Sequence, residues 1–244
     1  MKQAPNFNAI VTGATSGIGR AIALGLHAAG YHVLALGRDA GALADLRSAG
    51  LQAEALDVTD RAAVTARLGG SAPEVLVLNA GIMPPMANFC DQAQEDIDRA
   101  LEVNLSAVIH LTRTVAPGMR AAGKGHIFFT GSTAGHAPFA NLAVYCATKA
   151  AIGGFAQALR LDMAPHGVRV TEIVAGRVET GLYKDLLSVE ARAAMYAGNS
   201  AVQPKDLADM VLATLALPQS VDVARFDILP THQATATGGQ GKGK

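Results

Sequence analysis

The chain has 244 residues, half of them apolar and 16% charged, with no Trp. That apolar share is ample for a core and excludes wholesale disorder, and the length allows one large domain or two small ones at about 150 residues each. Twenty Lys and Arg balance twenty Asp and Glu, so no chain-wide basic face for nucleic acid or anionic membrane is expected.

No run of about 18 uninterrupted apolar residues exists, so no bilayer-spanning segment is expected. The opening residues, Met1 to Asn6, lack the charged-then-apolar order of a secretory signal. Cys90 and Cys146 are too few for a disulfide framework or a four-Cys zinc site, so a reducing, cytoplasmic setting is expected.

Strand and helix signals alternate from end to end. Short β-rich runs occur at 9–11, 33–36, 51–56 (weaker), 75–78, 127–129, 168–174 and near 221–229. Most are continuous apolar runs, the pattern of strands buried on both faces of a parallel sheet. Ala-, Leu- and Arg-rich helical stretches fall between them at 18–29, 41–48, 60–68, 95–121, 144–163 and 204–216, and Gly30, Gly50 and Gly167 stand where helices should stop. The alternation predicts an α/β fold: a single doubly wound (Rossmann) domain with a parallel sheet of about seven strands. It is expected to span 1–234, with a flexible, low-complexity tail at 235–244. Residues 175–203 are long for a strand-to-helix connection, as lids and binding loops often are.

The first strand runs into Thr12-Gly13-Ala14-Thr15-Ser16-Gly17-Ile18-Gly19, and a helix follows at once. Such spacing lets backbone approach a diphosphate, while the opening helix aims free N–H groups and its positive dipole end at the anion. Gly13, Thr15, Ser16, Gly17, Ile18 and Gly19 are therefore nucleotide-binding candidates. Further on, Tyr145 and Lys149 stand at i and i+4, one turn apart on one helix face. A phenol titrates near pH 10, and a neighbouring ammonium favours its ionised form, which suits it to proton transfer. Ser132 follows the strand at 127–130 and so stands at the carboxyl edge of the sheet, where ligands bind in open α/β folds.

The glycine turn, Ser132 and the Tyr145/Lys149 pair, in that order, resemble the short-chain dehydrogenase/reductase family, and the resemblance runs from about residue 8 to 230. It implies oxidoreduction of an alcohol or carbonyl with a nicotinamide cofactor, Tyr145 as proton donor, Ser132 holding the substrate oxygen, and Lys149 also bonding the nicotinamide ribose. Asn104 matches the family's Asn that holds a water in a proton relay. Asn79-Ala80-Gly81 matches the family's Asn-Asn-Ala-Gly, with Leu78 in place of the first Asn, and lies by the adenosine ribose. Asp57-Val58 resembles the adenine contact, a helix-initiating Asp being the plainer alternative. Gly176 and Thr180 keep the places of the family's Pro-Gly-x3-Thr, Ala175 replaces the Pro, and Val178 and Thr180 are the implied nicotinamide contacts.

Where NAD-specific relatives carry a carboxylate, this chain has Gly37, followed by Arg38, which can pair with a 2′-phosphate. NADP(H) is therefore expected in preference to NAD(H), although Asp39 blunts the positive field. Several stretches, among them Gly131–Gly135 and Val168–Ile173, look most like bacterial NADP-dependent 3-hydroxy acid (serine-type) dehydrogenases. Alternatives are a 3-oxoacyl or diketone reductase and, in another class, an NADP-sensing regulator without turnover. His136 and Arg177 are substrate-contact candidates, Arg177 for a carboxylate unless Glu179 neutralises it. The seven histidines show no ligand-type spacing, so no metal is expected. The family commonly forms tetramers or dimers through the helices holding Asn104 and Tyr145, so a homo-oligomer is expected, with no nucleic-acid or membrane partner.

Overall fold

A computed structural model describes residues 7–184 and 186–232. The tail expected at 235–244 lies outside them. Strand β1 (Ala9–Thr12) leads to α1 (Gly17–Ala28), β2 (Val33–Gly37) to α2 (Ala40–Ser48), and β3 (Gln52–Ala55) to α3 (Arg61–Leu68). Strand β4 (Val75–Leu78) is followed by α4 (Gln94–Leu101), a π turn (Glu102–Ser106) and α5 (Ala107–Ala122). Then come β5 (Gly125–Thr130), α6 (Ala143–Met163), β6 (Val168–Ala175), α7 (Val189–Tyr196), α8 (Pro204–Leu215) and β7 (Arg225–Ile228).

The strands form one seven-stranded sheet in the order β3-β2-β1-β4-β5-β6-β7, parallel at every pairing. Alternate side chains enter two separate cores, as a period of two requires. Ala9, Val11, Val33, Ala35, Val75 and Val77 meet α1, α2 and α8 through Ile22, Leu26, Leu43, Leu46, Leu207 and Val211. On the opposite face Ile10, Leu34, Leu76, Ile127, Phe129 and Val170 meet α3, α5 and α6 through Val64, Leu111, Val115, Met119, Ile152 and Ala156. Two buried faces explain the unbroken apolar runs. The edge strands β3 and β7 are partly exposed and carry charged residues, which is why the sequence signal of β3 was weaker.

Two elements differ from the sequence reading. The stretch at 95–121 is not one helix, because Asn104 turns inward in the π turn and bonds the backbone of Ile82 in both directions. The connection at 175–203 contains α7, capped by the Ser188 hydroxyl accepting from Ala191 N, yet α7 buries no residue and so leaves no clear apolar stripe to read. Among the described residues no helix is long and apolar enough to cross a membrane.

Candidate active site

Strand order reverses at β1, whose neighbours are β2 and β4, and a crevice opens there at the carboxyl ends of the strands. Thr12 ties the two sides together. Its hydroxyl oxygen accepts from Asn79 N at 3.0 Å and from Ala80 N at 3.1 Å. The Asn79 amide donates to the carbonyls of Thr12 and Gly13 at 3.2 Å, while its oxygen accepts from the Thr130 hydroxyl at 3.2 Å. Asn79 therefore fixes the ends of β1, β4 and β5, and Ala80 and Gly81 carry the backbone beyond it.

The glycine turn fits an anionic cofactor on structural grounds. Gly13 and Gly17 have φ of +64° and +49°, and a Cβ on Gly13 would lie 2.9 Å from Ala80 Cα. The α1 N-terminus is left open: Ser16 makes no side-chain cap bond and the first turn carries no acidic residue. By contrast Asp39 caps α2, accepting from Ala42 N at 2.8 Å, and Asp60 caps α3, accepting from Ala63 N at 2.9 Å. Orphan N–H groups and an unopposed helix dipole at one terminus out of three are what a diphosphate needs. Thr15, Ser16 and Ile18 lie in this turn.

At the end of β2 a Cβ on Gly37 would lie 2.4 Å from Thr15 Cγ2, so Thr15 fills the space a side chain there would take. Arg38 Nη1 stands 3.6 Å from Asp57 Oδ2, and both side chains are largely exposed. Such a pair contributes at most about 1 kcal/mol, so Arg38 is readily released to a phosphate. Asp57 does not cap α3. Its carboxylate accepts from Thr59 N and Oγ1, and those bonds, with a smaller contribution from Arg38, hold it below the usual carboxylate range. Val58 packs at the edge of the core beneath.

Tyr145 and Lys149 face the crevice from the first turns of α6. Both are buried, and Lys149 Nζ lies 5.8 Å from the Tyr145 ring centroid and donates to Thr130 O at 2.8 Å. Burial pushes the Tyr145 phenol up to about 12, against a downward pull from the nearby Ser132 hydroxyl. Burial likewise brings Lys149 down to about 8, opposed by the Glu172 carboxylate. At pH 7 both therefore hold their protons. Ser132 begins the turn Thr133–Gly135, its oxygen accepting from Ala134 N at 3.1 Å. Asn104 is buried, and a Cβ on Gly81 would sit 3.2 Å from its Oδ1 and 3.9 Å from Lys149 Nζ, so the π turn adjoins the lysine.

The connection after β6 reaches the same crevice. Val178 is buried and bridges to Val202, and Thr180 Cγ2 would lie 3.1 Å from a Cβ on Gly17, which brings this segment onto the glycine turn. The two substrate candidates are otherwise engaged. His136 Nε2 is 3.2 Å from Glu172 Oε1 and its Nδ1 is 3.5 Å from Arg225 Nη1. Arg177 donates to Met195 O at 3.3 Å, while Glu179 accepts from Gln203, not from Arg177. A cavity of about 930 Å³ between α1, α7 and α8 is lined by Gly17, Arg20, Thr180 and Arg192, and it adjoins the glycine turn rather than the reactive trio. Sequence reasoning missed Tyr183, near enough to Tyr145 to raise its phenol further, and Glu172. The one signal for Glu172 was a carboxylate inside an otherwise buried strand.

An open sheet with a glycine turn at its switch point and a buried Tyr–Lys pair beside Ser132 defines a nucleotide-dependent oxidoreductase fold, and the family model for short chain dehydrogenase matches residues 8–191. The chain belongs to the short-chain dehydrogenase/reductase family and is an enzyme, an oxidoreductase. It is 46% identical to an uncharacterized short-chain type dehydrogenase/reductase of Sinorhizobium fredii, with 92% of each chain covered. It is 33% identical to the NADP-dependent 3-hydroxy acid dehydrogenase of Escherichia coli (strain K12), covering 93% of this chain and 96% of that one. Among solved structures, the closed form of serine dehydrogenase complexed with NADP+ superposes with a TM-score of 0.87 at 33% identity, over 93% and 96% of the two chains.

Proposed function

We propose that the protein is an NADP(H)-dependent alcohol dehydrogenase or carbonyl reductase whose substrate is a small 3-hydroxy acid or the matching oxo acid. The observation that carries this reading is the convergence of Tyr145, Ser132 and Lys149 beside the uncapped N-terminus of α1. When bound, the nicotinamide supplies the hydride in reduction and accepts it in oxidation. Ser132 holds the substrate oxygen, and Tyr145, protonated at neutral pH, gives it a proton or takes one back. Lys149 stays an ammonium beside the phenol and stabilises its ionised form. Asn104, whose side chain is committed to Ile82, serves the proton relay through its main chain.

The named relatives support NADP, and Arg38 with Gly37 supports a preference for it over NAD. A sensor without turnover would have no use for the three reactive side chains together. Arg177 meets a substrate carboxylate by giving up the Met195 carbonyl. A homo-oligomer through α5 and α6 is supported by exposed Leu161 and by an open cleft of about 570 Å³ between these helices. The experiment is to follow NADPH formation with a panel of small 3-hydroxy acids, diols and uncharged secondary alcohols, and NADPH consumption with diketones and 3-oxoacyl thioesters. The reading expects the hydroxy acids to lead; a lead by diketones or thioesters would move the substrate class, and no turnover with any would overturn the reading.

A further inference from the structure

Glu172 sits in the middle of β6 with its side chain 1% exposed, a charged group fully withdrawn from water. The chain is shaped around it. A Cβ on Gly131, the residue before Ser132, would lie 2.3 Å from Glu172 Oε1, and one on Gly153 would lie 3.2 Å from both carboxylate oxygens. Gly153 is one turn beyond Lys149 on α6, so the two share a helix face. The carboxylate thus occupies room left by two glycines, one next to the serine and one above the lysine.

Its partners come from elsewhere. Oε1 accepts from His136 Nε2 at 3.2 Å, and Arg225 of β7 donates to the other ring nitrogen of His136 at 3.5 Å. With Arg225 donating to Nδ1, Nε2 is the ring nitrogen that donates to Glu172. Arg225 is itself paired with Asp227 at 2.8 Å. Glu172 Oε2 is buried and has no hydrogen-bond partner among the described residues. A buried carboxylate with one oxygen unpaired is costly unless a cation lies close by. Lys149, which donates to the carbonyl of Thr130 next to Gly131, is the buried lysine on which this carboxylate acts, holding its proton against desolvation.

We propose that Glu172 is a positioning residue of the active site: wedged between Gly131 and Gly153 and steadied by His136, it supplies the negative charge that keeps the buried Lys149 an ammonium. Lys149 faces Tyr145 from its own helix, Thr130 O from β5, the neutral Asn104 and Gly81 from the π turn and the segment after β4, and Glu172 from β6. Of these only Glu172 carries a carboxyl group. It offsets the desolvation that would otherwise strip the lysine of its proton. The role rests on the proposed function insofar as Lys149 works there as a cation, but the charge relation holds without turnover.

The test measures Lys149 directly, by the pH titration of its ε-carbon resonance in lysine-labelled, ligand-free protein, assigned with Lys149→Arg. Wild type is expected to titrate near pH 8. Glu172→Gln, or Glu172→Ala if the Gln variant does not fold, should lower that midpoint by about one pH unit, as loss of a nearby opposite charge does. Glu172→Asp, which keeps the charge, should stay within about half a unit of wild type. In NADP-linked turnover the alkaline limb of kcat/KM should move down with the midpoint, so that a neutral variant loses about fivefold at pH 8 and little at pH 6. An unmoved Lys149 midpoint in the folded neutral variant, or an equal fall in Glu172→Asp, overturns the proposal. A moved midpoint in a protein that turns over no substrate upholds the role of Glu172 and overturns the proposed function instead.

Discussion

In the proposed function, Arg38 and Asp57 set coenzyme choice between them. Their side chains are 59% and 44% exposed, so water screens the pair, and a 2′-phosphate, with more charge and three oxygens, would outcompete the carboxylate. Arg38→Ala should weaken NADPH by roughly ten- to a hundredfold, about 1.5–3 kcal/mol, and leave NADH nearly unchanged. Paired dissociation constants for the two coenzymes check this, and equal losses would make Arg38 structural. Arg38, Tyr145, Lys149 and Ser132 were legible in the sequence because each stands at a fixed distance from a strand end or on one helix turn. Glu172 was not, since what gives it meaning comes from Gly131 and His136, Gly153, and Arg225, three segments that only the fold assembles. For the same reason the engagement of His136 and Arg177 with protein partners could not be read from their neighbours in sequence.

Helix α1 differs from α2 and α3 in how its first turn is finished, and that difference separates binding from stability. Ser16 caps nothing with its hydroxyl, whereas Asp39 satisfies a backbone N–H of α2. Ser16→Ala should therefore leave thermal stability within about 0.5 kcal/mol of wild type while weakening NADP(H) binding. Asp39→Ala should cost about 0.5–2 kcal/mol and leave affinity nearly intact. Thermal unfolding and coenzyme titration on both variants test the contrast, and a stability loss in Ser16→Ala would mean that its hydroxyl caps after all. The strands and most helix ends were legible because burial on two faces writes a local pattern. The break between α4 and α5 was not, because a tertiary bond from Asn104 to Ile82 creates it, and α7 was not, because it buries nothing.

At the scale of the whole molecule, the sheet interior carries a pH dependence of its own. His126 on β5 is 1% exposed, stacks on Phe128 at 4.0 Å, and has Nε2 2.7 Å from Thr171 Oγ1. The Thr171 hydroxyl donates to Val223 O, so the ring must donate to Thr171, and Nδ1 has no partner among the described residues. Burial, reinforced by nearby Arg169, brings its pKa down to about 3. Below about pH 6.5 the unfolded chain takes up a proton that the native chain refuses, so stability is present above that pH and falls as pH drops toward 3. The slope from this group approaches 1.4 kcal/mol per pH unit, and His126→Phe should flatten the acid limb of a stability profile by about one proton. An unchanged slope in that variant would place the acid sensitivity elsewhere.

Tyr145 and Lys149 lie buried beside Ser132, and the proposed mechanism depends on the phenol being the proton donor. The most direct measurement is single-turnover and steady-state kinetics of Tyr145→Phe with the best substrate of the panel, together with its NADP(H) dissociation constant. Removing the hydroxyl while keeping the ring should lower kcat by roughly 10²–10⁴-fold with coenzyme affinity within a factor of about three of wild type. Turnover close to wild type in that variant, with coenzyme still bound, would contradict the account.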